Sequence, residues 1–190
     1  KVGTDGVLLG AWAPIDFNIS SFTNFRILDV GTGSGLIALM LAQRLQTSPI
    51  PSPKEREKGF RIDAIDIDEA TMEQAAENFR SSPWSEHLHA FHARLQDWQI
   101  VHRTSSLRTL PYSLIVSNPP YFRNSLKNPD KARELARHTD TLSYTELLHH
   151  SARLLREEGR LCLILPAEAE EEVCALAAQE GFVLTRVTRV

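Results

Sequence analysis

The sequence predicts an α/β fold with a central, mainly parallel twisted sheet flanked by helices. Three observations predict it. Short apolar runs alternate with helix-period segments, the signature of consecutive βαβ units. A glycine-rich turn, Gly31-Thr32-Gly33-Ser34-Gly35, falls between the first strand and the helix after it. An Asn-Pro-Pro-Tyr run, residues 118–121, directly follows a later strand. At 190 residues, with 42% hydrophobic and 24% charged residues, the chain is long enough for one domain with a buried core.

In chain order, Thr4 or Asp5 is expected to cap an opening helix that runs to Trp12 and stops at Pro14. Arg26–Val30 is a short apolar strand, and Leu36–Leu45 a helix apolar nearly all round, hence buried. Phe60–Asp66 is the second strand and Glu69–Phe79 the second flanking helix. Leu88–His92 and Tyr112–Ser117 read as the third and fourth strands. Ser143-Tyr144-Thr145-Glu146 is a capping box opening a helix expected to reach Glu158 and end at Gly159. Arg160–Leu165 is a fifth strand, Ala167–Glu180 a helix closed by Gly181, and Phe182–Val190 a sixth strand. Two segments read as surface insertions: Thr47–Lys58, with three prolines, and the Ser/Thr-rich Arg103–Pro111. The chain opens on Lys1 and closes on a strand with a bare edge, so further residues, including a last strand, are expected beyond both ends.

Composition narrows the function classes. A net charge of −3 does not suit a generally basic nucleic-acid binder, so any such contact must come from a local patch. No apolar run approaches the roughly 20 residues of a membrane span, and no leader peptide is visible. Cys162 and Cys174 lie apart among apolar residues and read as reduced core thiols of a cytoplasmic protein. His87, His89 and His92 cluster in sequence, but no cysteine or carboxylate completes a ligand set, so no metal is expected.

Glycines at 31, 33 and 35 permit a tight turn and let a ligand lie against bare backbone. Asp29, just before them, suits a ligand with cationic groups better than a phosphate. A carboxylate at the tip of the second strand can accept both hydroxyls of a ribose, and Asp66 holds that position. Its distance from Gly35 exceeds the usual ~20 residues, and the proline-rich insertion accounts for the excess. Asp68 reads as the cap of the next helix. Asp97 can accept from an adenine amino group and Trp98 can pack on the ring; a helix cap with a core tryptophan fits the same two residues.

Asn118-Pro119-Pro120-Tyr121 falls at the C-terminal end of the fourth strand, the rim where open α/β sheets bind ligands. The Asn118 side-chain oxygen and the Pro119 carbonyl can each accept one N–H of a substrate amino group. The prolines restrict the backbone and preorganise both acceptors. Tyr121 can stack on a planar substrate.

Together these motifs resemble class I methyltransferases that use S-adenosylmethionine (SAM) to methylate adenine N6 or glutamine N5, and the resemblance implies their Rossmann-like fold. The opening Lys1-Val2-Gly3-Thr4-Asp5-Gly6-Val7-Leu8-Leu9-Gly10-Ala11-Trp12, the segment 124–127 and the run Ala136–Asp140 are similar to a bacterial family methylating N6 of adenine-37 in valine tRNA. That resemblance spans essentially the whole chain. It implies Asp29, Gly31, Gly33, Gly35 and Asp66 at SAM and Asn118, Pro119, Pro120 and Tyr121 at the base; no obligate protein partner is evident from the sequence. It also brings Thr4 and Asp5 near the cofactor, with helix capping the alternative role. Arg123, Lys127, Lys131, Arg133 and Arg137, against Asp130 and Glu134, give the segment beside the catalytic motif a local excess of positive charge. Phosphate contacts of a tRNA or a solvated loop both fit it. A protein-glutamine methyltransferase and a non-catalytic nucleic-acid-binding protein are the competing functions. The basic segment weighs against the first, the intact Asn-Pro-Pro-Tyr against the second.

Overall fold

The computed structural model describes residues 3–15, 25–47, 59–98, 111–119 and 142–190. Five strands, β1 (Phe25–Val30), β2 (Phe60–Asp66), β3 (Leu88–His92), β4 (Tyr112–Ser117) and β5 (Leu155–Leu163), form one sheet in the order β3-β2-β1-β4-β5. Every pairing is parallel. β1 and β4 are buried at every position, as strands covered on both faces must be, and their polar residues Arg26, Asp29, Ser113 and Ser117 are buried with the apolar ones.

Five helices are described: α1 (Thr4–Trp12), α2 (Leu36–Thr47), α3 (Glu69–Arg80), α4 (Tyr144–Leu154) and α5 (Glu170–Gln179). One core joins Leu9 of α1, Leu41 of α2 and Phe79 of α3 to Ile27, Ile62 and Leu114 of the sheet. The opposite face packs Leu147 and Leu154 of α4 against Leu28, Ile65 and Ile115. α1 lies close on α2 because Gly6 and Gly10, one helical turn apart, present no side chain there. A Cβ on Gly10 would stand 2.7 Å from Met40 Sδ. Arg44 of α2 secures the same pair, donating to the Gly10 and Ala13 carbonyls at 2.7 and 2.8 Å.

From β1 the chain winds outward through β2 and β3, then returns past β1 to β4 and β5. The reversal makes the C-terminal ends of β1 and β4 the topological switch point, where such sheets leave a crevice for ligands. Val30 pairs with Ser117 at the last rung between them, so Gly31 and Asn118 leave the sheet side by side.

Several elements depart from expectation. α1 has the extended residue Gly3 at its N-cap rather than Thr4 or Asp5, so the cap position itself offers no side chain. Asp5 instead lies in the first turn, where its negative charge meets the positive end of the helix dipole. The capping box of Ser143 and Glu146 forms as expected. However, α4 ends at Leu154, and Leu155 already pairs with Tyr112 in β5. Ladder pairing and burial of Leu155 against the α4-side core outweigh further helix. The surplus residues bulge from the strand, with Glu158 in the left-handed region at φ 63°. At the other end, Phe182–Val190 joins no ladder among the described residues; Val183 and Val190 are 84% and 95% exposed. Single contacts hold this exposed tail instead: at the end of α1, Trp12 Nε1 donates to Thr188 Oγ1 at 2.9 Å and Arg186 stands 4.5 Å over the Trp12 ring, and at the start of α5 Glu170 pairs with Arg189. Apart from Thr47 and Pro111, the two expected insertions lie outside the described residues.

A buried polar network ties the middle of the sheet. Asp63 of β2, fully buried, accepts from Arg26 of β1, from Arg61 at 2.7 Å and from the Tyr112 hydroxyl of β4 at 2.8 Å. Burial and the Asp63 charge hold the Tyr112 hydroxyl protonated far above its usual range. Cys162 is buried and Cys174 half-buried, both free thiols, and burial pushes Cys162 up to about 11.

Candidate active site

The glycine turn is set by its backbone angles. Gly31, Gly33 and Gly35 have φ of 69°, 58° and 83°, a region where a side chain is strained. Gly35 is required twice over, since a Cβ there would collide with the Phe79 ring. At Gly31 and Gly33 no described residue stands within 4 Å of where a Cβ would lie, so the backbone there is open.

Asp29 supports this turn from beneath. It is fully buried, and its Oδ2 accepts from Thr32 Oγ1 at 2.6 Å and from the Ala38 amide at 3.2 Å. Burial pushes its carboxyl up to about 7, offset in part by these two donors. The expected place before the glycines is thus a buried one: through Oδ2, Asp29 joins the turn to the first turn of α2.

Asp66 is placed as expected, at the tip of β2 and half-buried. Its Oδ2 accepts the Gly33 amide at 3.0 Å and its Oδ1 the Asp68 amide at 3.1 Å. Asp68 caps α3, accepting from the Thr71 amide at 2.9 Å, and that bond lowers its carboxyl pKa. The Ala93 amide donates to the Asp66 carbonyl at 3.0 Å, which draws the chain after β3 alongside Asp66. On that chain Asp97 is exposed, inside a helical turn over 95–98 rather than capping it. Trp98 belongs to the core: it is 1% exposed, donates from Nε1 to the Tyr112 hydroxyl at 3.1 Å and packs 5.0 Å from the Phe91 ring. No face of Trp98 is left for an adenine ring.

Thr4 is exposed and Asp5 half-buried at the start of α1, which meets the start of α2 where Gly6 faces Leu36. Both therefore stand near the outlet of the glycine turn. Asn118 is half-buried and Pro119 buried, directly after β4 and beside Gly31. Pro120, Tyr121, Arg123, Lys127, Lys131, Arg133 and Arg137 lie outside the described residues. Each clustered histidine has a structural partner: His87 bonds the Phe60 carbonyl, His89 bonds Arg61, and His92 bonds the Ile67 carbonyl. Among the described residues no three side chains are grouped to hold a metal ion.

One residue of the site escaped sequence reasoning. Asn78 of α3 donates from Nδ2 to the Ser34 carbonyl at 2.8 Å. Its partner is 44 positions away, and no local pattern announces such a bond.

Comparison with known proteins agrees with this geometry. Residues 17–179 match the model of the family described as the methyltransferase small domain. A protein of Parabacteroides distasonis is 45% identical over 190 residues, spanning all of this chain and 70% of that protein. One of Tolumonas auensis is 42% identical, spanning all of this chain and 69% of its own length. Both are named tRNA1(Val) (adenine(37)-N6)-methyltransferase. Among solved structures, TrmN from Thermus thermophilus superposes with a TM-score of 0.54 at 23% identity, over 92% of this chain and 40% of that one. A TehB-like SAM-dependent methyltransferase from Corynebacterium glutamicum gives 0.50 at 17%, over 95% and 73%. These two likenesses are of fold. The sequence matches reach further, and by them the chain belongs to the methyltransferase small domain family and, within it, to the tRNA1(Val) (adenine(37)-N6)-methyltransferases.

Proposed function

We propose that this chain transfers a methyl group from SAM to the exocyclic N6 amine of adenine-37 in a valine tRNA, the reaction for which its relatives are named. The observation that carries the proposal is the last rung between β1 and β4. Because Val30 pairs with Ser117, the glycine turn and Asn118 issue from adjacent strands into one crevice. A cofactor on the turn and an amine on Asn118 would meet there.

The residues present fit SAM. The open backbone at Gly31 and Gly33 gives a nucleoside room, the Asp66 carboxylate suits ribose hydroxyls, and the exposed Asp97 suits an adenine amino group. When bound, SAM supplies an electrophilic methyl group on its sulfonium. The chain's own part is positioning. Asn118 Oδ1 and the Pro119 carbonyl would each accept one N–H of the substrate amine. Held this way, the nitrogen lone pair is drawn from the ring and aimed at the methyl carbon. Transfer would form the N–C bond as the S–C bond breaks, and the amine would release one proton to water. Tyr121 would stack on the base, and Arg123, Lys127, Lys131, Arg133 and Arg137 would meet tRNA phosphates.

The test is methyl transfer from labelled SAM with total tRNA and, in parallel, a protein substrate bearing an accessible glutamine. Label in the RNA alone is the expected result. Label in the protein alone would return the glutamine-methylating alternative.

A further inference from the structure

The glycine turn is gripped from one side by a single β–α unit. The Gly31 and Thr32 amides donate to the Ile65 carbonyl at 2.9 and 3.1 Å. The Gly33 amide donates to Asp66 Oδ2, Asn78 Nδ2 holds the Ser34 carbonyl, and the Phe79 ring abuts Gly35. Each residue of the turn thus answers to β2 or α3. Phe79 is also a core residue at 2% exposure, and Asp66 is a proposed ligand. Asn78 is neither. It sits half-buried in the last turn of α3, and asparagine is a poor helix former, so local propensity does not account for it.

We infer that Asn78 is a positioning residue for the cofactor: by holding the Ser34 carbonyl it keeps the Gly33 amide and the Asp66 carboxylate in the arrangement that receives the ribose. This rests on the SAM reading of the site. Without the bond the turn spends part of its time in other conformations, and apparent affinity falls with the competent fraction. Asn118 is on β4, across the switch point, so the chemical step is not carried through Asn78.

Asn78→Leu removes the donor at similar volume. Asn78→Asp replaces it by a carboxylate facing the Ser34 carbonyl, which becomes a donor again when protonated. Glu77→Ala, at an exposed neighbouring position, is the control. On the full chain, SAM affinity is measured by calorimetry, KM and kcat by steady-state methyl transfer, and amide exchange of the turn by mass spectrometry without SAM. Asn78→Leu is expected to raise Kd and KM for SAM about three- to tenfold, the scale of one neutral hydrogen bond, with kcat within about twofold and faster exchange in the turn. Asn78→Asp should bind worst at about pH 8 and regain affinity relative to wild type toward about pH 5, a recovery that a merely structural role does not give. Variants that lose only thermal stability, with wild-type Kd, KM and exchange in the turn, would overturn the inference alone. A wild-type chain that does not bind SAM would overturn the reading of the site and this inference with it.

Discussion

Asp66 Oδ2 accepts the Gly33 amide at 3.0 Å, so the tip of β2 and the turn after β1 share one carboxylate. Asp66→Ala therefore removes a brace of the turn and, with it, the proposed ribose acceptor. It is expected to weaken SAM binding by about 1.5–3 kcal/mol, the scale for hydrogen bonds to a charged group. Titration calorimetry checks this; unchanged affinity would move the ribose assignment to Asp68.

Asn118→Ala separates binding from chemistry. SAM affinity should stay near wild type, because the turn and Asp66 are untouched. Turnover should fall roughly a hundredfold or more, as for the loss of a preorganised polar group. Single-turnover rates with saturating SAM give the comparison, and wild-type turnover would refute the amine-acceptor role.

Asp63 tests stability apart from function. Its carboxylate receives Arg26, Arg61 and Tyr112 in the middle of the sheet. Asp63→Ala takes one side from a buried ion pair and should destabilise the fold by about 3–5 kcal/mol. Denaturant unfolding reads this directly. A loss under about 1 kcal/mol would mean that the network contributes little.

Asp29 predicts a pH dependence with a definite sign. Burial raises its carboxyl from the ordinary 3.8 to about 7. Between those values the folded state holds a proton that the unfolded chain has released, so this group's contribution falls as pH rises through that window. An asparagine side chain would keep an oxygen for Thr32 and Ala38 while carrying no charge, so Asp29→Asn should flatten the decline. Urea unfolding of both proteins at several pH values across the window is the check. Parallel curves would mean that Asp29 is ionised throughout.

Much of this was legible in the sequence because it is local. β1 and β4 are buried on both faces and therefore written as short, mainly apolar runs. The turn needs glycine at three positive φ values, and the acid at the end of β2 follows from the same βαβ geometry. What escaped depends on distant partners. Gly159 after a helical pattern looked like a helix end, yet Tyr112, far back in the chain, draws Leu155 into the sheet first. Trp98 has an aromatic face in sequence and none in space, because Tyr112 and Phe91 take it. Asp29 has near partners, Thr32 and Ala38, but the burial of its carboxyl comes from the packed sheet around it. Phe182–Val190 has the residues of a strand but pairs with none among the described residues, and Trp12 holds part of it instead.

The central claim is that the crevice between Gly31 and Asn118 brings SAM and an adenine amine together. It is tested most directly by the product. Purified valine tRNA lacking the modification is incubated with the chain and methyl-labelled SAM, then digested to nucleosides and mapped by mass spectrometry. The account predicts label in N6-methyladenosine at position 37 and none with Asn118→Ala. Label on another base or another atom of adenine, or equal labelling by the variant, would contradict it.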